Sequence, residues 1–121
     1  MEKAVCSNLI AKGLSYEYKS ILETKLEEMK LFEGKDLTDV DKEFHDTLIQ
    51  ATGNHLWAVL MEAVTDAYRD WINYVIELAD ESVRAKLLQC HEDIYQNLVQ
   101  KNEPAMLLAI DRHYDLIEQM V

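Results

Sequence analysis

The chain has 121 residues, 49% of them apolar and 29% charged, enough to bury one core and not a second. Twelve basic against twenty-three acidic side chains give a net charge of −11, spread along the chain, which opposes direct binding to nucleic acid. Three glycines and one proline are too few turn residues for a many-stranded sheet, and no apolar run approaches the ~18 residues of a membrane span.

An all-α, antiparallel bundle of about six helices is therefore expected as a single domain. The opening "MEKAVCSNLIAKG" lacks the apolar stretch of a signal peptide. Cys6 and Cys90 are far apart and form no C-x-x-C pair, which suits buried, reduced thiols. The expected location is the cytoplasm.

Apolar periodicity and capping residues place the helices in chain order. The first covers about residues 2 to 12 and stops at Gly13. Ser15 caps the second, whose Tyr18, Leu22, Leu26 and Met29 form one stripe before Gly34 ends it. Asp36 or Thr38 caps the third, which runs to about Thr52. Gly53 stops it, and Asn54 caps a long fourth helix to about Leu78. Trp57, Leu60, Val64, Trp71 and Val75 mark its inner side, the pattern of a central post. Asp80 or Ser82 starts the fifth helix, and "KNEP" separates it from the sixth, with Asn102 as cap and Pro104 in the first turn.

Four polar residues fall on or beside the apolar stripes. His91 lies between Leu87 and Ile94 on the fifth helix, and His113 follows Ile110 on the sixth. On the third, Val40, Phe44 and Leu48 mark the apolar side, while Asp41 and His45 stack one turn apart beside it. His55, next to the cap of the fourth helix, belongs at a solvated end.

Each has an ordinary reading: a buried histidine is usually just hydrogen-bonded, and Asp41, three residues after Thr38, can complete a capping box. Together, three imidazoles and a carboxylate cost several kcal/mol to desolvate unless they are satisfied jointly. A metal ion does that, and helix bundles build such sites from facing helices. The donor set suits a divalent transition metal, zinc first, with nickel, manganese, cobalt or iron also accommodated. Spacing alone leaves the metal centre and the hydrogen-bonded core histidines both open.

The stretch "DKEFHDTLIQATGN" (41–54) resembles the D-x-x-F-H-x-x-[LI]-x-x-A-x-G-N signature of the FCD domain, the effector-binding and dimerisation domain of FadR-subfamily GntR transcription regulators. "HEDIYQNLVQKNEPAMLLAIDRH" is similar to the family's closing segment, with His91 and His113 as its two histidines. "NLIAKGLSYEYKSILETKLEEM" is similar to the family's first two helices, so the resemblance covers nearly the whole chain.

By position, the resemblance implies that Asp41, His45, His91 and His113 bind a divalent metal whose shell a small organic acid completes, within a homodimer. Arg69 falls where many relatives place an arginine, and Tyr68, Trp71 and Asn73 are further candidates for the cavity wall. Asn54 matches the family asparagine, which its role as a cap already explains. Relatives also carry an arginine and a glutamate near the start of the first helix, where this chain begins. No winged helix-turn-helix precedes the domain in this sequence, so any DNA contact would be made by a separate domain. Two other functions compete: a hydrolase-like metal enzyme and a purely structural dimerisation module. The Glu-x-x-His motif of di-iron bundles does not occur.

Overall fold

The computed structural model describes residues 2–32 and 34–119, and the side chains at 35, 65–69, 71 and 72 lie outside the described set. Six helices follow in order: α1 (Glu2–Lys12), α2 (Tyr16–Leu31), α3 (Gly34–Thr52), α4 (His55–Leu78), α5 (Glu81–Val99) and α6 (Glu103–Gln119). The protein is an all-α bundle, as composition and periodicity led one to expect.

Local chemistry sets most of the boundaries. Ser15, Asn54 and Asp80 accept from the backbone N–H three residues on, at Tyr18, Trp57 and Val83. Asn102 does the same for Ala105 at the start of α6, with Pro104 in the first turn. Gly13 and Gly53, at φ +87° and +71°, take the left-handed conformation that ends α1 and α3. Lys12 joins these two ends, donating from Nζ to the carbonyls of Ala51 and Thr52.

α3 is the hub of the bundle. It packs on α1, α2 and α4, while α5 pairs with α6 and also touches α1 and α2. Phe44 and Leu48 of α3 are fully buried against Leu9, Leu22, Ile94, Met106 and Ile110 from the other core helices. Burying such side chains contributes roughly 1.5–3 kcal/mol each, the main force holding the helices in place.

Two expectations need correction. Gly34 does not end α2: that helix is capped at Phe32, and Gly34 is the first residue of α3. A glycine costs least at a helix start, where its N–H lacks an intrahelical partner in any case. Asp36 therefore lies in the first turn, and Thr38 is an interior residue, buried, donating to Asn73 Oδ1 of α4 at 3.0 Å. With Thr38 inside the helix, no capping box can account for Asp41.

The second correction concerns α4, which packs chiefly on α3 and is not a central post. Trp57 is partly buried and Val75 fully so, but Leu60 and Val64 are 46% and 43% exposed, with Leu56 and Val59 more open still. A helical period shows that a face is apolar without showing what covers it. Trp71, the remaining residue of the expected stripe, lies outside the described side chains.

Candidate metal centre

Asp41, His45, His91 and His113 converge from three helices. One ligand atom from each lies within 4.8 Å of all the others. The pitch of α3 stacks Asp41 and His45 one turn apart, and the pairing of α5 with α6 brings His91 and His113 to ring centroids 4.5 Å apart. Phe44 packs edge-on against both His45 and His91, with centroids at 5.5 and 5.2 Å, and fixes their ring planes. His55, the internal contrast, is exposed at the start of α4.

The outer nitrogens decide the protonation pattern. His91 Nδ1 lies 2.7 Å from the Leu87 carbonyl oxygen, which can only accept, so this nitrogen carries a proton. His45 Nδ1 lies 2.7 Å from Oε1 of Glu2, and Oε2 of that carboxylate accepts from Tyr114 at 2.6 Å. Burial pushes the Glu2 carboxyl up, but the His45 charge and its hydrogen bonds outweigh this and hold it at about 2. Glu2 is therefore ionised, and His45 Nδ1 is a donor as well. The two Nε2 atoms both face inward, 3.2 Å apart.

Asp41 Oδ1 faces the same point, 2.7 Å from His91 Nε2 and 3.4 Å from His45 Nε2. Burial alone would raise its carboxyl, yet His45 and His91 hold it well below the usual carboxylate range. Burial would likewise lower His45, but Glu2 and Asp41 raise it well above its ordinary value, leaving an imidazolium when no metal competes. His113 goes the other way: burial first, then the charges of His91 and His45, lower it to about 3. Its buried Nδ1 has no hydrogen-bond partner among the described residues.

These residues fit a metal ion. Donors on a tetrahedral ion with bonds of about 2.0–2.1 Å stand about 3.3 Å apart, close to the His45–His91 separation. Inward lone pairs and an unpartnered imidazole nitrogen are what a cation satisfies, and the Glu2 and Leu87 contacts fix the tautomers as outer-sphere partners do. The cysteines do not compete. Burial raises both thiols, helped at Cys6 by the Glu2 charge, so neither is a ready thiolate ligand.

Beside the centre lies a cavity of about 290 Å³. Asp41, His91 and His113 line it, together with the apolar Leu37, Val75, Ile76 and Ile117 and the charged Lys30, Glu81 and Arg84. Asn73 is not among the described residues that line it. Asn73 is tied at both ends of its amide, accepting from Thr38 and donating to Glu77. The side chains of Tyr68 and Arg69 are outside the described set.

Sequence reasoning overlooked Glu2, Tyr114 and Arg84. Glu2 reads as an ordinary acid at a helix start, although the family's glutamate near that point was a signal. Its contact with Tyr114 spans 112 positions, and no local pattern reports it.

An all-α bundle with a buried, inward-facing carboxylate and imidazole cluster beside a small cavity has the form of a ligand-binding domain. The family model for the FCD domain matches residues 4–116, and the chain belongs to that family. FCD domains typically form the effector-binding part of GntR transcription regulators and are regulatory domains. Neither a curated protein nor a solved structure matches the chain.

Proposed function

We propose that this domain senses a small carboxylic acid through a bound divalent metal, as the effector-binding and dimerisation domain of a FadR-subfamily GntR regulator in the cytoplasm. The observation that carries the reading is the pair of inward Nε2 atoms on His45 and His91. Each ring's other nitrogen is already a donor, to Glu2 and to Leu87. Asp41, His45, His91 and His113 would hold the ion, zinc in the first instance, with nickel, manganese, cobalt or iron as alternatives. When bound, the metal supplies a Lewis-acidic site for one carboxylate of the effector.

The protein's own residues do the rest. Glu2 and Leu87 orient the imidazoles, Phe44 wedges them, and the apolar wall excludes water around the acid. A carboxylate is the natural guest, because a cation behind it offsets the repulsion of a chain with net charge −11. DNA would be contacted only through a separate winged helix-turn-helix domain, and the exposed apolar face of α4 is suited to a second copy of the chain.

Metal analysis after purification without chelator tests the reading. About one transition metal per chain is expected, lost in His91→Ala and His113→Ala. Metal-free protein that gains no stability from added zinc would overturn it. Addition of an acid that binds should raise the stability of the loaded domain, by roughly 2.7 kcal/mol at ~100 times its dissociation constant. Turnover of that acid would favour the hydrolase reading instead.

A further inference from the structure

The cavity has a second pole. Its lining includes two cations, Lys30 and Arg84, and they differ in one respect. Lys30 is already engaged, 3.1 Å from Glu27 and 3.3 Å from Glu92. The Arg84 side chain is half-buried in the wall, and its guanidinium makes no ion pair or hydrogen bond among the described residues, although Glu81, one turn earlier on α5, lines the same cavity. In so acidic a chain, a cavity-lining guanidinium without a carboxylate partner is a recognition group awaiting one.

Its distance from the metal centre defines that partner. Arg84 precedes His91 by seven residues on α5, two turns along the same face, about 10.5 Å in helical rise. Both side chains lean toward the helix N-terminus, so the offset along the axis is kept. One carboxylate group cannot reach both poles. A short chain with an acid at each end can, and the apolar residues of the lining, such as Leu88 and Ile117, suit its methylene groups.

We infer that Arg84 is the specificity-determining residue of the cavity, and that the effector is a dicarboxylate of about four to six carbons. One carboxylate sits at the Asp41/His45/His91/His113 centre, and the other is clamped bidentately by the Arg84 guanidinium. The inference rests on the metal-dependent acid-sensing reading and adds to it the ligand's second charge. Arg84 is a binding residue only, and the metal ligands do not depend on it.

The test uses matched probes on the zinc-loaded protein: succinate, glutarate and adipate against butyrate, valerate and hexanoate, with affinities from calorimetry and metal content measured alongside. At least one dicarboxylate is expected to bind about tenfold or more tighter than its monocarboxylate counterpart, the scale of a charge-assisted contact. Arg84→Gln should abolish that preference with metal content and monocarboxylate affinity unchanged, and Arg84→Lys should restore part of it. Loaded protein that binds both series equally, or an Arg84→Gln variant that keeps the preference, overturns the Arg84 assignment and leaves the metal reading standing. Protein that holds no metal and binds neither series overturns both.

Discussion

The Nε2 atoms of His45 and His91 stand 3.2 Å apart, while Nδ1 of each ring is spent as a donor, to Glu2 and to the Leu87 carbonyl. Without a metal, a proton on His45 relieves that approach, and although burial opposes it, the Glu2 and Asp41 charges favour it by raising His45 well above its usual range. A metal ion would take the place of that proton.

Metal binding at pH 7 should therefore release at least one proton per chain, the one on His45 among them. Calorimetric titration with zinc in buffers of different ionisation enthalpy measures the number directly. A value near zero would mean that His45 is neutral in the metal-free domain.

Glu2 should matter to the metal without touching it. Loss of an outer-sphere partner typically weakens metal binding about 10- to 100-fold, so Glu2→Ala should fall in that range and Glu2→Gln, which keeps an acceptor, near its lower end. Tyr114→Phe removes a hydrogen bond to Glu2 but keeps its carboxylate, and should have a smaller effect. Competition with a chelator gives the affinities; wild-type affinity in Glu2→Ala would remove Glu2 from the site.

The two histidines that flank His91 should have opposite pH linkage in the metal-free domain. His113 is lowered to about 3, below the roughly 6.5 of an unfolded chain, so between these values the unfolded state binds more protons. Its contribution is present above about pH 6.5 and is lost as the pH falls toward 3. His45 is raised, so its contribution is complete below about pH 6.5 and is lost as the pH rises through its folded value. In nuclear magnetic resonance spectra, the His113 ring signal should stay constant from pH 7 to 4; titration near 6.5 would contradict its burial.

Leu56, Val59, Leu60 and Val64 leave an apolar face of α4 to solvent, 67%, 65%, 46% and 43% exposed. If two copies of the chain meet there, Val59→Glu with Leu60→Glu should convert a dimer to a monomer by sedimentation and leave metal content intact. A wild-type monomer at tens of micromolar would rule out this face as a stable homodimer interface.

Much of this molecule is legible in its sequence because the signals are local. Ser15, Gly13, Gly53, Asn54, Asp80 and Asn102 act through hydrogen bonds or backbone conformations a few residues away, so their roles follow from neighbours alone. The stripes of α2, α3, α5 and α6 turn inward as periodicity predicts. Two readings went astray where local signals compete. Gly34 has the composition of a helix stop but begins α3, since Thr38 and Val40 are held in place by α4 and the core. The apolar run of α4 resembles a buried helix, yet its middle is open, since an interface between chains carries the same pattern as a core.

What the sequence determined by itself is therefore the helices, most of their caps and the identity of four polar residues on or beside apolar stripes. Helical pitch is fixed by the backbone, and with it the faces on which Asp41, His45, His91 and His113 lie. Only the tertiary structure decided that these faces meet at one point, that Glu2 and Leu87 turn the rings so that both Nε2 atoms point inward, and that Arg84 lines the adjoining cavity. Those are contacts between segments tens of residues apart, and they are set by how α1, α3, α5 and α6 bury their apolar sides against one another, which no single helix encodes.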